Sequence, residues 1–439
     1  MNRRQFSQAT AMTALSYSQI LGANDRAMVG YIGLGNRGDQ VHDGFLEYGD
    51  ARTAAICDLK ASYLDLAEKK AKDRGHDTPK RYADWRKLID DKTLDAVVIA
   101  TPDHWHALMM IEACNAGKDV YCEKPLSLTV VEGRKMVDAA ERNKRIVQVG
   151  IQRRSAKFLQ EAAAYVQSGA LGKVTLAQGW HLTNEWPTGL GAAPEGPPPS
   201  EAEWDAWLGP APKVPYNRNR MYYNFRWFYN YSGGQLTNFG VHYVDMLRWC
   251  IGKESPKAVT VMGGKFAVDD NREIPDTLQA MWDYDGVMLV FTQINANSAA
   301  GNAQKSEMMI RGTKGTMYLT LRGWEVIPEV IGDQPLPVRN PIDRSNDAQK
   351  KPVIEARKVT GQVTNHPHAR NFLDCMKSRQ KPNCDTLTGH LSTSATLIAN
   401  VAYKTKSYLE WDSKNEKFTN HPAANQMLSY KYRAPYKLP

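Results

Sequence analysis

From residue 28 the chain alternates short, continuously apolar runs with longer amphipathic ones. Residues 28–32, 53–57, 94–100, 119–122 and 145–150 read as buried strands. The stretches after residue 38 to about 48, 106–116 and 130–143 read as helices between them. Apolar runs on this scale, separated by helical periods, predict a parallel, doubly wound sheet over residues 28–150. Past residue 257 the pattern changes. Segments 258–262, 277–284, 287–292 and 306–310 alternate at period two between glycine turns, as antiparallel strands do. The fold class expected is therefore α/β: a doubly wound first domain, then a second domain over 151–439 whose C-terminal helices can pack back on the first. Residues 187–215, rich in Gly and Pro, read as one irregular loop, and 330–365 as a polar excursion across the surface. Residues 236–250 carry a single helical period, and His366 opens a structural helix.

Several broad classes fall away. No apolar run approaches the roughly 20 residues that cross a bilayer, so integral membrane anchoring is not expected. Net charge is +9, from 56 Lys and Arg against 47 Asp and Glu, but the basic residues are interleaved with acidic ones. That is a mildly basic surface, not a nucleic-acid footprint. The chain opens with Arg3-Arg4-Gln5-Phe6, a mildly apolar stretch and small residues at Gly22 and Ala23. Residues 1–27 resemble a twin-arginine export signal, which implies a folded protein delivered to the periplasm. Without a working signal the chain stays in the cytoplasm. Six cysteines are too few for a disulfide scaffold, leaving a Cys375–Cys384 bridge as the one pairing to consider.

The chemistry begins at the first strand's end. Gly33-Leu34-Gly35-Asn36-Arg37-Gly38 follows it directly, and Asp58 closes the second strand twenty positions later. This is the dinucleotide fingerprint in its required context. Gly33 serves the tight turn, Gly35 the approach of a pyrophosphate, and Gly38 close helix packing. Asp58 suits a ribose diol and repels a 2′-phosphate, so NAD is expected over NADP. Later strands end at Thr101-Pro102, at Glu123-Lys124-Pro125 and at Gln152-Arg153, where a doubly wound sheet binds its ligands. Lys124 can donate to a substrate oxygen or exchange a proton there. The pair His104 and His106 lacks a third histidine or a cysteine nearby in sequence, so no metal is expected. Trp105 and His106 are expected to stack near the nicotinamide.

These pieces, with 100–106, 122–127 and 233–242, resemble the Gfo/Idh/MocA oxidoreductase family over nearly the whole chain after the leader. The resemblance implies a second domain with an open, mostly antiparallel sheet whose outer face supports a homodimer or homotetramer. It implies Lys124 and His242 as the catalytic pair. The family's aspartate is replaced by Asn238, an amide that can orient a hydroxyl but cannot take a proton. Asn238 and His242 are four apart on one helical face, and Asp245, three further, is placed to set the tautomer of His242. Arg153, Trp180 and Tyr229 join Asn238 as candidate substrate residues. Tyr229 belongs to an aromatic, arginine-interleaved stretch over 216–231 suited to carbohydrate or to packing. The function expected is transfer of a hydride between a sugar, polyol or glycoside carbon and a nicotinamide that stays bound. A nicotinamide-dependent glycosidase is the first alternative, and a non-catalytic sugar-binding protein the second.

Overall fold

The computed structural model describes residues 26–300, 306–332 and 350–439. The expected leader, up to residue 25, lies outside the described residues. The first unit is β1 (Ala27–Ile32), α1 (Asn36–Leu46), β2 (Ala51–Cys57), α2 (Ala61–Asp73), β3 (Lys80–Tyr82), α3 (Trp85–Asp90), β4 (Ala96–Ile99), α4 (Asp103–Asn115), β5 (Asp119–Cys122), α5 (Val130–Arg142) and β6 (Val147–Val149). Its six strands lie parallel in the order β3-β2-β1-β4-β5-β6. Helices on both faces bury β4, β5 and β6 completely, which is why those runs are mostly apolar without alternation, with Asp119 and Gln148 as their buried polar residues. Between β1 and β4 the order reverses, and a crevice opens at the strands' carboxyl ends.

The second unit contains α6 (Lys157–Gln167), β7 (Val174–Leu182), α7 (Glu201–Leu208), α8 (Gly234–Asn238), α9 (Gly240–Cys250), β8 (Ala258–Gly264), β9 (Thr277–Asp283), β10 (Met288–Ile294), β11 (Met308–Gly312), β12 (Gly315–Thr320), β13 (Gly323–Pro328), β14 (Val330–Gly332), β15 (Lys350–Pro352) and β16 (Arg357–Thr360). It continues through α10 (His366–Ser378), α11 (Thr386–Thr405), β17 (Leu409–Asp412) and β18 (Lys417–Phe418). Ten strands form one sheet, β16-β13-β12-β11-β7-β10-β9-β8-β17-β18, antiparallel except for the β7–β10 pair. The helices α6, α9 and α11 cover its inner face, and the Trp282 indole reaches across to the Ala395 carbonyl at 2.9 Å. α10 returns to the first unit. Its Phe372 and Leu373 join Tyr31, Phe45 and Val41 in one core, and Arg370 and Lys377 both bind Asp50.

Four expectations need correction. Residues 201–208 are helical, because Ser200 caps the Glu203 N–H at 3.2 Å and Trp204, Trp207 and Leu208 bury one face. The period over 236–250 is two helices, α8 and α9, meeting at Phe239. The excursion over 330–365 contains the β14–β15 hairpin and β16, while 333–349 lies outside the described residues. Cys375 and Cys384 are both buried free thiols. Among the described residues no helix is long and apolar enough to cross a membrane.

Candidate active site

A cavity of about 570 Å³ occupies the crevice, lined from both units. Its floor is the glycine turn. Gly33 has φ +83°, and a Cβ there would lie 2.8 Å from the Ala100 and Thr101 backbone. A Cβ on Gly38 would lie 2.0 Å from the Gly33 carbonyl oxygen, so that residue sets how closely α1 meets β1. Gly35 caps α1 and faces only the Tyr63 ring, leaving the helix's first N–H groups open to the cleft. Asp58 is held at the adjoining strand end, accepting from the N–H of Leu34 at 2.7 Å and of Lys60 at 2.8 Å. Burial raises its pKa, against those two donors. Asn36 lines the cleft and accepts from Gln40, and Arg37 ties α1 to the end of β5 through Glu123 at 2.8 Å. Arg37 also donates to Asn365, just before α10, while its Nη2 has no partner among the described residues. A close backbone turn, open helix N–H groups, a ribose-end carboxylate and an unspent guanidinium donor together suit a dinucleotide.

Thr101, Pro102 and Trp105 line the cleft's other side. The neighbouring histidines do not. His106 spans two carbonyls, Pro125 at 2.8 Å and Thr101 at 2.9 Å, and so braces the loops on either side of the cleft instead of stacking in it. His104 lies between the Trp207 and Tyr231 rings, one nitrogen 3.1 Å from the Trp207 carbonyl. Burial pushes its pKa down to about 3, so it is neutral.

Lys124 closes the cleft's inner end. Its ammonium donates to the backbone and side-chain oxygens of Asn238 at 2.9 and 2.8 Å, above the Phe239 ring. Asn238 in turn donates to Gln235 at 3.0 Å, which fixes its amide. Desolvation lowers the Lys124 pKa to about 8, with Glu123 pulling the other way. His242 is buried near Lys124, its Nδ1 without a partner among the described residues. Desolvation first, then the Lys124 and Arg153 charges, hold it well below the usual histidine range. Asp245 does not serve His242. It accepts from Arg154 at 2.8 and 3.0 Å and from Ser392 at 2.6 Å, because a buried guanidinium is the stronger partner.

Gln152 and Arg153 follow β6, each with one buried polar atom that has no partner among the described residues. Arg153 stacks on Tyr243 and reaches Glu307 at 3.4 Å. Trp180 falls elsewhere. It is in register with Thr292, Gln279 and the exposed Met262 across the outer face of the ten-stranded sheet. The next residue on β7, His181, points inward and stacks on Phe239 at 4.2 Å. Tyr229 does not line the cleft; its ring lies 3.7 Å from the Lys404 ammonium on α11. Tyr222, Tyr223 and Arg226 from the same aromatic stretch do line it, with Trp85, Trp207 and Tyr436. Those last three carry no local motif, although the Trp204–Trp207 spacing behind a serine cap was a legible helix signal.

Comparison with known proteins agrees with this arrangement. Residues 27–151 match the model of an oxidoreductase family with an NAD-binding Rossmann fold, and residues 158–339 and 348–438 match that family's C-terminal alpha/beta domain. The chain is 30% identical over 173 residues to levoglucosan dehydrogenase of Pseudarthrobacter phenanthrenivorans, covering 39% of this chain and 37% of the relative. Inositol 2-dehydrogenase of Salmonella typhimurium is 34% identical over 128 residues, 29% of this chain and 37% of the relative. A glycosyl hydrolase family 109 protein of Saccharopolyspora erythraea is 31% identical over 167 residues, 36% of each chain. These alignments span little more than a third of the relatives' lengths. Levoglucosan dehydrogenase in complex with NADH and levoglucosan has the same fold, with a TM-score of 0.63 at 19% identity over 88% of this chain and 99% of that one. With both family segments matched across most of its length, the chain belongs to the Gfo/Idh/MocA family of NAD-binding oxidoreductases.

Proposed function

We propose that the protein is an NAD-dependent oxidoreductase acting on a CH–OH carbon of a sugar, polyol or glycoside. The observation that carries this reading is Lys124, a buried amine held by Asn238 at the inner end of a cleft built for a dinucleotide. Bound there, the nicotinamide supplies the hydride acceptor. Lys124, with its pKa near 8, exchanges the hydroxyl proton and hydrogen-bonds the developing oxygen charge. His242 stays neutral, so it orients the hydroxyl as a hydrogen-bond partner and is a weak base. Asn238 keeps the amine aimed, and Phe239 shields it from water. The Asp58 carboxylate favours NAD over NADP, since a 2′-phosphate would meet its charge.

In this reading residues 28–150 hold the cofactor, and 151–439 hold the substrate and the contacts of a homodimer or homotetramer. The exposed Met262, in register with Trp180, supports the outer sheet face as that contact. The leader over 1–27 directs twin-arginine export to the periplasm, which a fusion of those residues to a folded reporter tests by fractionation.

The relatives named glycosyl hydrolase family 109 proteins favour one second reading. Oxidation of a ring carbon acidifies the neighbouring C–H, a base expels the aglycone, water adds, and the carbon is reduced again, with no net redox change. The deciding experiment follows absorbance at the reduced-nicotinamide band in protein loaded with NAD or NADP, as sugars, polyols and glycosides are added. A lasting rise with one compound, lost in Lys124→Met, is expected. Aglycone release without a lasting rise assigns the glycosidase reading, and no cofactor uptake overturns both.

A further inference from the structure

Behind Phe239, which lines the inner end of the cleft, lies a group of buried polar side chains with unspent hydrogen-bonding capacity. Arg153 is 5% exposed, yet its Nη1 has no partner among the described residues, and its Nη2 reaches Glu307 only at 3.4 Å. The Tyr243 ring beneath it, 4.8 Å away, fixes the plane of the guanidinium. His181 is also buried, and its Nε2 is unpartnered among the described residues. It packs on the Tyr243 ring as well, with centroids 6.3 Å apart, and stacks on Phe239, which lines the cleft beside Lys124. One chain of contacts, Lys124–Phe239–His181–Tyr243–Arg153, therefore gathers three nitrogen groups at and behind the same end of the site, with Lys124 and Phe239 lining the cavity itself.

Charge narrows what that group can take. Two carboxylates lie close enough to act on Lys124, and both are engaged, Glu123 by Arg37 and Asp103 by Ser232. Glu307 is the one carboxylate touching Arg153 among the described ion pairs, at the long distance above. A buried guanidinium so weakly paired is costly, and a neutral hydroxyl satisfies a donor without offsetting the charge. A carboxylate does both, and its two oxygens match the fixed fork of an arginine. Burial keeps His181 neutral, with its pKa lowered to about 4, so it can donate one hydrogen bond without adding charge.

We propose that Arg153 and His181 form a carboxylate-recognition subsite and that the substrate is a sugar acid of the uronate or aldonate class. This rests on the oxidoreductase reading for the neighbouring chemistry, but binding tests it separately. Calorimetric titration of the NADH-loaded protein, where no oxidation can occur, compares D-glucuronate, D-galacturonate and D-gluconate with D-glucose, D-galactose and myo-inositol. At least one acid should bind on the order of 10- to 100-fold more tightly than its neutral counterpart. Arg153→Gln should shrink that ratio towards one, and Arg153→Lys, which keeps charge but loses the fork, should restore only part of it. Equal or weaker binding of all three acids in the unmodified protein overturns the proposal, whatever the variants do. So does a ratio that Arg153→Gln leaves intact. An acid that binds selectively but gives no absorbance change with NAD keeps the subsite and removes the oxidoreductase reading. A neutral sugar oxidised without any preference for acids does the reverse.

Discussion

Lys124 is held between two opposing demands. Burial takes its ammonium out of water and favours the neutral amine, while the Asn238 oxygens and the Glu123 charge favour the cation. Burial wins by enough to bring the pKa down to about 8 from the ordinary lysine value of 10.5. Oxidation of an alcohol needs the neutral amine to receive a proton, so kcat/KM for oxidation should climb through about pH 8 and level off above it. The reverse reduction needs the ammonium and should fall over the same interval. Lys124→Arg keeps a cation that cannot deprotonate, so the alkaline rise should vanish and the rate drop by roughly 10²- to 10⁴-fold. A rise that survives in Lys124→Arg assigns the proton to another group. Lys124 and Asp58 were legible in the sequence because each sits at a strand end beside a short motif. His181 was not, because strand register alone decides which of Trp180 and His181 faces inward. Asp245 was misread for a related reason. Its spacing from His242 allowed a contact that buried Arg154, distant in sequence, takes instead.

Within the strand–turn–helix unit, two glycines that look alike in the motif do different work. A Cβ at Gly38 would strike the Gly33 carbonyl at 2.0 Å, a backbone atom that cannot turn aside, whereas at Gly35 it meets the Tyr63 ring at 3.3 Å. Gly38→Ala should therefore cost about 1–3 kcal/mol of stability by forcing α1 away from β1, measured by denaturant unfolding. Gly35→Ala should unfold within about 0.5 kcal/mol of the unmodified protein, with dinucleotide affinity reduced in a fluorescence titration. If both variants lose stability equally, Gly35 is a packing residue and not an opening for phosphate. The motif's spacing was legible, but this division of labour depends on which atom each Cβ would meet. The same holds for α7 and for the break at Phe239. A serine cap and tryptophan spacing outweighed the Gly and Pro around 201–208, and a run of helical period concealed where one helix ends and the next begins.

Across the whole molecule, alternation along the chain was enough to separate a parallel sheet from an antiparallel one, because burial on two faces or on one leaves different patterns. How the chain closes over the cleft left no such pattern. Its last residues run from α5 to α7: Tyr432 donates to Glu132 at 2.6 Å, Arg433 holds the Gly209 carbonyl at 3.0 Å and pairs with Asp205, and Lys135 reaches the Pro439 carbonyl at 2.9 Å. Between these anchors the Tyr436 ring meets Trp105 edge-on at 5.4 Å, lies under the Arg86 guanidinium and lines the cavity. A wall fastened at both ends should slow the escape of whatever fills the cleft more than it slows entry, since the anchors must release first. Removing residues 430–439 should then raise the dissociation rate of bound NADH by roughly 10- to 100-fold, read by stopped-flow displacement. Tyr436→Ala keeps the anchors and removes only the ring, so it should give a smaller increase of the same sign. If the truncated protein stays folded and releases NADH no faster, the tail is an external strap and the cofactor is held by the glycine turn and Asp58 alone.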